Sequence, residues 1–246
     1  MRYFLEVAYH GHGFAGFQVQ RNAETVQQEV EKALQVFCKV PIALTGSSRT
    51  DAGVHARQNY FHFDTDLDLG ARQLYNLNAI LPHSIAALSL RKMPDDAHCR
   101  FDAISRLYKY YLYGSKNPFY NDRAWFYPYP LNLELLNCVA STLLGQHDFT
   151  SFSKRNTQVK TMLCTLVESR WGYEGDLLVY TVQANRFLRG MVRGLVATML
   201  RVGRGAIGPE TFSAILAARD CSKADFSAPA HGLFLEKVAF GNGYLG

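Results

Sequence analysis

One loop of the sequence gathers an arginine, an aspartate and a histidine among small residues. It runs from Gly46 to Ala56 and reads Gly-Ser-Ser-Arg-Thr-Asp-Ala-Gly-Val-His-Ala, with Arg49, Asp51 and His55 as its titratable side chains. Small residues let a backbone approach a ligand closely. A carboxylate held beside a guanidinium stays ionised at neutral pH, which suits a nucleophile or an electrostatic stabiliser. Asp51 is therefore the first candidate for catalysis.

The residues of this loop leave two other interpretations open. Asp51 can cap a turn or pair with Arg49 for structural reasons alone, and an isolated Arg-x-Asp favours that interpretation. Ser47 and Ser48 lie near His55 in the sequence, which would suit a hydrolase. The loop lacks a second carboxylate and a nucleophile linked to histidine, and this absence argues against hydrolysis.

Metal binding is the chemistry that a pair of histidines would suggest. His10 and His12 lie in a segment with three glycines, a setting more typical of a surface turn than of a metal site. The cysteines are odd in number, widely spaced and without a Cys-x-x-Cys pair; they are Cys38, Cys99, Cys138, Cys164 and Cys221. We therefore predict no metal site and no disulfide framework. The sequence also has no Walker loop and no Gly-x-Gly-x-x-Gly after a strand, so no nucleotide cofactor is expected.

Tyrosines alternate along a segment of the second half. On strand geometry Tyr108, Tyr110 and Leu112 share one face, so packing alone accounts for most of them. A tyrosine in such a strand can also stack on a base and move a proton.

A predicted helix at Phe187–Val202 is apolar around nearly its whole circumference. Arg189, Arg193 and Arg201 interrupt it, so it reads as a core helix and not as a membrane span. A buried guanidinium needs a partner, because an unpaired buried charge is strongly destabilising. For Arg193 the residues leave that partner open between a carboxylate and a backbone carbonyl.

The hydrophobic period predicts the order β-α-β-β-α-β in both halves, and thus an α+β fold. The first half has strands at Arg2–Tyr9, Ile42–Gly46, Gln58–Asp64 and Ile85–Met93 and helices at Glu24–Cys38 and Ala71–Leu81. The second half has strands at Leu107–Gly114, Leu163–Trp171, Leu177–Ala184 and Leu233–Phe240 and helices at Leu133–Leu144, Phe187–Val202 and Pro209–Ala218. Such units form antiparallel sheets with helices on one face, and two side by side would leave a cleft between them. With a boundary near Ala97–Ser105, the predicted domains are residues 1–100 and 101–246.

The amino-acid composition indicates the class of protein more clearly than it indicates the binding partners. The 246 residues are 48% hydrophobic and carry a net charge of +5, a globular composition that is compatible with a polyanion. The N-terminus enters a strand pattern without a cleavable apolar segment, so we expect a cytoplasmic protein. Basic residues that could contact RNA lie in or beside loops or on the mixed face of the helix at Phe187–Val202, and they are Arg21, Arg57, Lys154, Arg155, Lys160, Arg186 and Arg189. The loop from Lys116 to Pro130 adds aromatic side chains for stacking.

The string Arg-Thr-Asp-Ala-Gly-Val-His resembles the bacterial tRNA pseudouridine synthase A family. Similar segments follow the family order and extend the resemblance over nearly the full chain; they are Tyr9–Gln20, Cys99–Tyr113 and Asn185–Val196. Two departures are visible, because Phe17 stands where tryptophan is usual and Ser47-Ser48 where many relatives have Ala-Gly. The Ser47-Ser48 departure is conservative.

The resemblance implies a role for each matched residue. Asp51 would be the catalytic nucleophile, Arg49 would help to hold the flipped-out nucleotide, Tyr108 would be the active-site tyrosine, and Arg193 would pair with Asp51 across a central cleft. Arg57, Arg186 and Arg189 are further candidates for RNA binding. The implied fold has two ferredoxin-like halves with antiparallel sheets flanking that catalytic cleft.

The implied reaction isomerises uridine to pseudouridine at positions 38, 39 and 40 in the anticodon arm of tRNA. It needs no cofactor, and the implied assembly is a homodimer. Two rival functions stay open: a pseudouridine synthase for another RNA, and a non-catalytic RNA-binding protein that uses both halves as stacking platforms. The presence of Arg49, Asp51, Tyr108 and Arg193 together argues against the second rival, because binding alone would not require this set.

Overall fold

The computed structural model describes residues 1–155 and 159–245 and divides into two compact units. The first unit comprises Met1–Ser105 and Phe234–Gly246, and the second comprises Arg106–Leu233. Residues 234–246 follow the second unit along the chain, but in the structure they belong to the first unit. The reason is strand pairing, since Phe234 and Leu235 of the last strand lie beside His55 and Ala56.

The first unit is a mostly antiparallel sheet with two helices. Its elements are β1 (Arg2–Tyr9), α1 (Val26–Cys38), β2 (Thr45–Gly46), β3 (His55–Asp64), α2 (Ala71–Ile80), β4 (Ile85–Met93) and, from the end of the chain, β10 (Leu233–Phe240). The strands run in the order β4-β1-β3-β10, and β2 pairs with β3. Among the strand pairings described for this unit, that of β3 with β10 is parallel and the others are antiparallel. From β1 to β4 the elements follow the order β-α-β-β-α-β that the sequence predicts.

Helix α1 shows how the sequence sets an element of this unit. The hydroxyl of Thr25 caps its N-terminus by accepting from the backbone N–H of Gln28, and Lys39 ends it in a left-handed conformation. Val26, Val30 and other apolar residues at helical spacing are buried. The preceding strand β1 is buried along most of its length, so the helix and sheet share a core.

The described residues of the second unit form a mostly antiparallel sheet and three α-helices. Its elements are β5 (Ala103–Tyr113), β6 (Trp125–Phe126), α3 (Leu133–Ser141), β7 (Gly145–Asp148), β8 (Leu163–Glu174), β9 (Leu177–Ala184), α4 (Met191–Gly203) and α5 (Pro209–Ala217). The strands run in the order β5-β9-β8-β7, and the short β6 pairs with β5 in parallel. β6 and β7 were not predicted, because two and four residues are too few to show a period.

Helix α4 ends one residue later than predicted, at Gly203, and differs more at its start. It was predicted from Phe187 but begins at Met191, because Gly190 has φ of +74° and cannot continue a right-handed helix. Within α4 every residue is buried except Arg193 and Arg201, which confirms a core helix. Among the described residues, no helix has the length and apolar character that a membrane crossing requires.

Candidate active site

The loop that carries Asp51 connects β2 to β3 in the first unit. A backbone hydrogen bond from Val54 N to the carbonyl oxygen of Asp51, 3.1 Å long, closes a turn. Gly53 has φ of +78° in this turn, a conformation that residues with a side chain rarely adopt. The Asp51 side chain is half-buried and that of Arg49 is exposed. The two charged groups therefore lie at the accessible side of a loop in which Ser47, Ser48 and Thr50 are buried.

The glycine-rich segment after β1 packs against this loop. The backbone N–H of Gly11 donates to Nδ1 of His55 over 3.0 Å. A Cβ on Gly11 would lie 2.0 Å from the carbonyl oxygen of Val54, and one on Gly16, whose φ is +112°, would lie 3.2 Å from the carbonyl oxygen of Thr50. The glycines thus permit contact between two backbones, which is a reason for their presence that requires no metal.

The same glycine-rich segment is also hydrogen-bonded to Thr50, the residue that precedes Asp51. Phe17 donates its backbone N–H to the carbonyl oxygen of Thr50 over 3.1 Å. Among residues 1–155 and 159–245, no group of three or more histidine, cysteine, aspartate or glutamate side chains is placed to hold a metal ion.

A buried hydrogen-bond network lies on the inner side of the loop. The hydroxyl of Tyr9 lies 2.8 Å from Oγ1 of Thr50, and Nδ2 of Asn59 lies 3.2 Å from the same tyrosine oxygen. Nδ2 of Asn59 also donates to the carbonyl oxygen of Ser48 over 2.8 Å. Burial raises the pKa of Tyr9 to about 12, although its hydrogen bonds with Thr50 and Asn59 act to lower it. Tyr9 is therefore a neutral hydroxyl at physiological pH.

In the second unit, Tyr108 lies on β5 with its side chain buried. Its ring meets that of Phe187 edge to face, with centroids 5.0 Å apart. On the same face of the strand, Tyr110 donates its hydroxyl to the carbonyl oxygen of Pro229 over 2.8 Å, and burial raises its pKa. The tyrosines of this strand therefore have different neighbours despite their shared face.

Arg193 lies in the first turn of α4, half-buried. Its Nε donates to the carbonyl oxygen of Ala228 over 2.6 Å, so a backbone carbonyl is one of its partners. The loop that contains Ala228 is fixed to the same helix, because Asp225 N donates to Oγ1 of Thr198 over 3.0 Å. The guanidinium is thereby attached to a loop that α4 itself holds in place.

The other predicted RNA-binding arginines occupy different environments. Arg57 is exposed, lies 3.2 Å from a carboxylate oxygen of Glu236 and stacks over the ring of Phe234. Arg186 is half-buried, whereas Arg189 is exposed and its carbonyl oxygen accepts from Lys154 N. Arg57 is thus the one of the three for which a carboxylate ion pair is described.

The predicted site residues are distributed over the two units. Asp51, Arg49 and Arg57 belong to the first unit, and Tyr108, Arg186, Arg189 and Arg193 belong to the second. Sequence reasoning missed the network under the loop. Asn59 ends the polar stretch Arg57-Gln58-Asn59 that precedes Tyr60-Phe61, so the local sequence carries no signal for its buried role, and Tyr9 is 50 residues away.

Comparison with known proteins connects this chain to a family. A family model described as tRNA pseudouridine synthase matches residues 139–241. A tRNA pseudouridine synthase A of Parabacteroides distasonis is 42% identical over 241 residues, which cover 97% of this chain and 96% of the relative. Enzymes of the same name from Staphylococcus aureus and Porphyromonas gingivalis are each 41% identical, over 97% of this chain and 91% and 97% of their own lengths. The chain therefore belongs to the tRNA pseudouridine synthase A family of isomerases.

Proposed function

We propose that this protein converts uridine to pseudouridine in the anticodon arm of tRNA, at positions 38, 39 and 40. The observation that carries the proposal is the similarity to enzymes named tRNA pseudouridine synthase A, at about two residues in five over nearly the whole chain. The loop with Arg49 and Asp51 agrees with it, because its one carboxylate is accessible while its backbone is held on both sides.

The chemistry of the reaction defines what the site must supply. The bond between N1 and C1′ breaks, the base turns and C5 joins C1′; C5 loses its hydrogen to solvent as a proton, and N1 takes up a proton in its place. Electrons balance without an oxidant or a reductant, so the proposed reaction requires no cofactor. Asp51 promotes cleavage of the glycosidic bond, whether through an adduct at C1′, attack at C6 of the base or elimination to a glycal. All three routes require a carboxylate at this position.

The uridine must leave its stack before a carboxylate can reach it, which costs a few kcal/mol. In our proposal Arg49 holds the extruded nucleotide, and Tyr108 stacks on the base and moves a proton. Arg57, Arg186 and Arg189 contact phosphates of the arm, which orients the tRNA without reading its sequence. Arg193 pairs with Asp51 and keeps it anionic.

The proposed architecture is the pair of ferredoxin-like halves around a central cleft, with Asp51 from one half and Tyr108 and Arg193 from the other. The proposed working form is a cytoplasmic homodimer, as the family resemblance implies. Sedimentation of the purified protein with and without tRNA measures that assembly state.

The first test is tritium release from unmodified tRNA that carries 5-tritiated uridine. Wild-type protein should release tritium, and Asp51→Asn should lower the rate by about a thousandfold or more, because the reaction depends on one carboxylate. Primer extension after carbodiimide treatment then locates the pseudouridines, which we expect at positions 38 to 40.

The control is Asp66→Asn, the same substitution at an exposed loop residue of the first unit. It should retain the wild-type rate, and all three proteins should bind tRNA with affinities that agree within about twofold. Binding without tritium release by the wild type would refute the assignment for this substrate and favour the RNA-binding function. Release at other positions would redirect the proposal to another uridine or another RNA.

A further inference from the structure

We propose that Tyr9 and Asn59 are positioning residues for Asp51, which act through Thr50 and Ser48. This inference rests on the proposed function, since it concerns the placement of the carboxylate that the reaction requires. Neither side chain needs to touch the substrate. Both lie on strands of the first unit, Tyr9 at the end of β1 and Asn59 in β3.

The hydrogen bonds of Asn59 account for its whole amide group. Its two N–H groups have separate acceptors, the hydroxyl oxygen of Tyr9 at 3.2 Å and the carbonyl oxygen of Ser48 at 2.8 Å. Its Oδ1 accepts from the backbone N–H of Tyr60 over 2.9 Å. A flipped amide would place two oxygens against each other at Ser48, so the orientation is determined. Asn59 is completely buried, and loss of one of these bonds would leave a polar group unsatisfied.

This orientation sets the direction of the next hydrogen bond. The oxygen of Tyr9 accepts from Asn59, and among the described contacts Oγ1 of Thr50, 2.8 Å away, is the atom that can accept the proton of Tyr9, so we assign Tyr9 as the donor. Burial keeps that proton in place, because it raises the pKa of Tyr9 to about 12. A directed chain of hydrogen bonds therefore runs from β3 through Tyr9 to the residue that precedes Asp51.

The chain fixes the loop on the N-terminal side of Asp51. Asn59 holds the carbonyl of Ser48, Tyr9 holds the side chain of Thr50, and the backbone N–H of Phe17 holds the carbonyl of Thr50. On its C-terminal side, the turn to Val54 fixes the carbonyl of Asp51. With both sides held, the carboxylate has little freedom except rotation of its own side chain. A displacement of about 1 Å can cost a hundredfold in rate, so such fixing is valuable.

Tyr9→Phe tests the inference with the smallest available change. It removes one hydroxyl, leaves Thr50 and Asn59 without that partner and retains the buried ring. We expect kcat for tritium release to fall by about tenfold or more, with KM and tRNA affinity within about twofold of wild type. A positioning role predicts this division between kcat and KM, whereas a role in substrate binding would raise KM.

Tyr180→Phe is the matched control for a merely structural effect. Tyr180 is a completely buried tyrosine of the second unit, and its hydroxyl lies 2.9 Å from Oγ of Ser169. Both substitutions remove a buried hydroxyl that is hydrogen-bonded to another hydroxyl, so the melting temperature should fall by a similar amount in the two variants. The kcat of Tyr180→Phe should stay at the wild-type value. Equal kcat for the two variants, or an unchanged kcat with a raised KM for Tyr9→Phe, would overturn the inference.

Thr50→Val supplies a second, independent variant at the other end of the same bond. It should lower kcat as Tyr9→Phe does, and the double variant should be no worse than the more impaired single one, because both remove one interaction. If the reductions in kcat of the two single variants multiplied in the double variant, the two residues would not act through one chain of hydrogen bonds. Failure of the proposed function is distinguishable, since wild-type protein would then release no tritium at all.

Discussion

At the scale of single residues, the candidate site combines accessible charge with a rigid and buried support. Arg49 is exposed and Asp51 half-buried, while Ser47, Ser48 and Thr50 in the same loop are buried. A loop built in this way can present charged groups to a ligand without moving its backbone. The expected cost of losing the support is therefore kinetic, in kcat, more than a loss of affinity.

A buried histidine of the first unit contributes to stability in a pH-dependent way. The pKa of His62 is lowered to about 4, first by burial and then by the positive charges of His98 and Arg2. Its ring lies 4.5 Å from that of His98, and its Nδ1 lies 3.2 Å from Sγ of Cys99. The carboxylates of Asp64 and Asp102 act in the opposite direction but do not reverse the shift.

We predict that His62 makes the protein less stable in mild acid. The folded state binds its proton only near pH 4, whereas the unfolded chain binds it near pH 6.5, so stability is lost as pH falls from 6.5 towards 4. Between pH 7 and pH 5 the free energy of unfolding should fall by about 1 to 2 kcal/mol more in wild type than in His62→Gln. Urea denaturation at both pH values measures this difference. Equal losses in the two proteins would show that His62 does not carry the effect.

At the scale of elements, helix α4 packs closely against the loop after α5 because a glycine of the helix has no side chain at the contact. Gly194 lies inside α4, and a Cβ there would approach Cε1 of Phe226 to 2.8 Å. The carbonyl of Gly194 accepts from Thr198, whose hydroxyl oxygen accepts in turn from Asp225 N. Phe226 therefore packs on the helix at the point where the loop is bonded to it.

We predict that Gly194→Ala destabilises the protein although alanine favours helices. The gain in helix propensity is about 1 kcal/mol. Displacement of the Phe226 ring should cost about 1 to 3 kcal/mol and should exceed it. Phe226→Leu should restore part of the lost stability in the double variant. Gly241→Ala is the control, because no atom lies within 4 Å of the added Cβ. Thermal melting compares the four proteins, and a Gly194→Ala protein that melts at or above wild type would contradict the packing argument.

At the scale of the whole molecule, the proposed reaction depends on residues from two compact units. Asp51 lies in the first and Arg193 in the second, and the contact described for Arg193 is with the carbonyl of Ala228. The pairing of Arg193 with Asp51 is a proposal from the family resemblance. It is compatible with that contact, because a guanidinium offers five N–H donors.

We predict that Asp51→Asn and Arg193→Gln are strongly non-additive in kcat. When two residues act together, the first substitution already removes most of their joint contribution to kcat. The double variant should therefore be about as slow as Asp51→Asn alone. The rates come from tritium release under single-turnover conditions. Rates that multiply instead would mean that Arg193 acts separately from Asp51.

The sequence alone determined most of the secondary structure and the identity of the candidate carboxylate. Strands β1, β4 and β9 and the burial of α4 followed from the spacing of apolar residues, since that spacing is a local property. The loop with Asp51 was recognisable because its charged residues stand among small ones, and because the string resembles a family. The start of α4 was wrong by four residues, as the left-handed conformation of Gly190 cannot be read from apolar spacing.

The tertiary structure alone decided which distant segments meet. Pairing between strands depends on hydrogen bonds that leave no trace in the local pattern, so the position of β10 beside β3 could not be predicted from either strand. The same reason applies to Tyr9, Thr50 and Asn59, which are separated by 41 and 50 residues from their partners across the network. The sequence supplied the carboxylate, whereas folding brought together the buried groups that hold it.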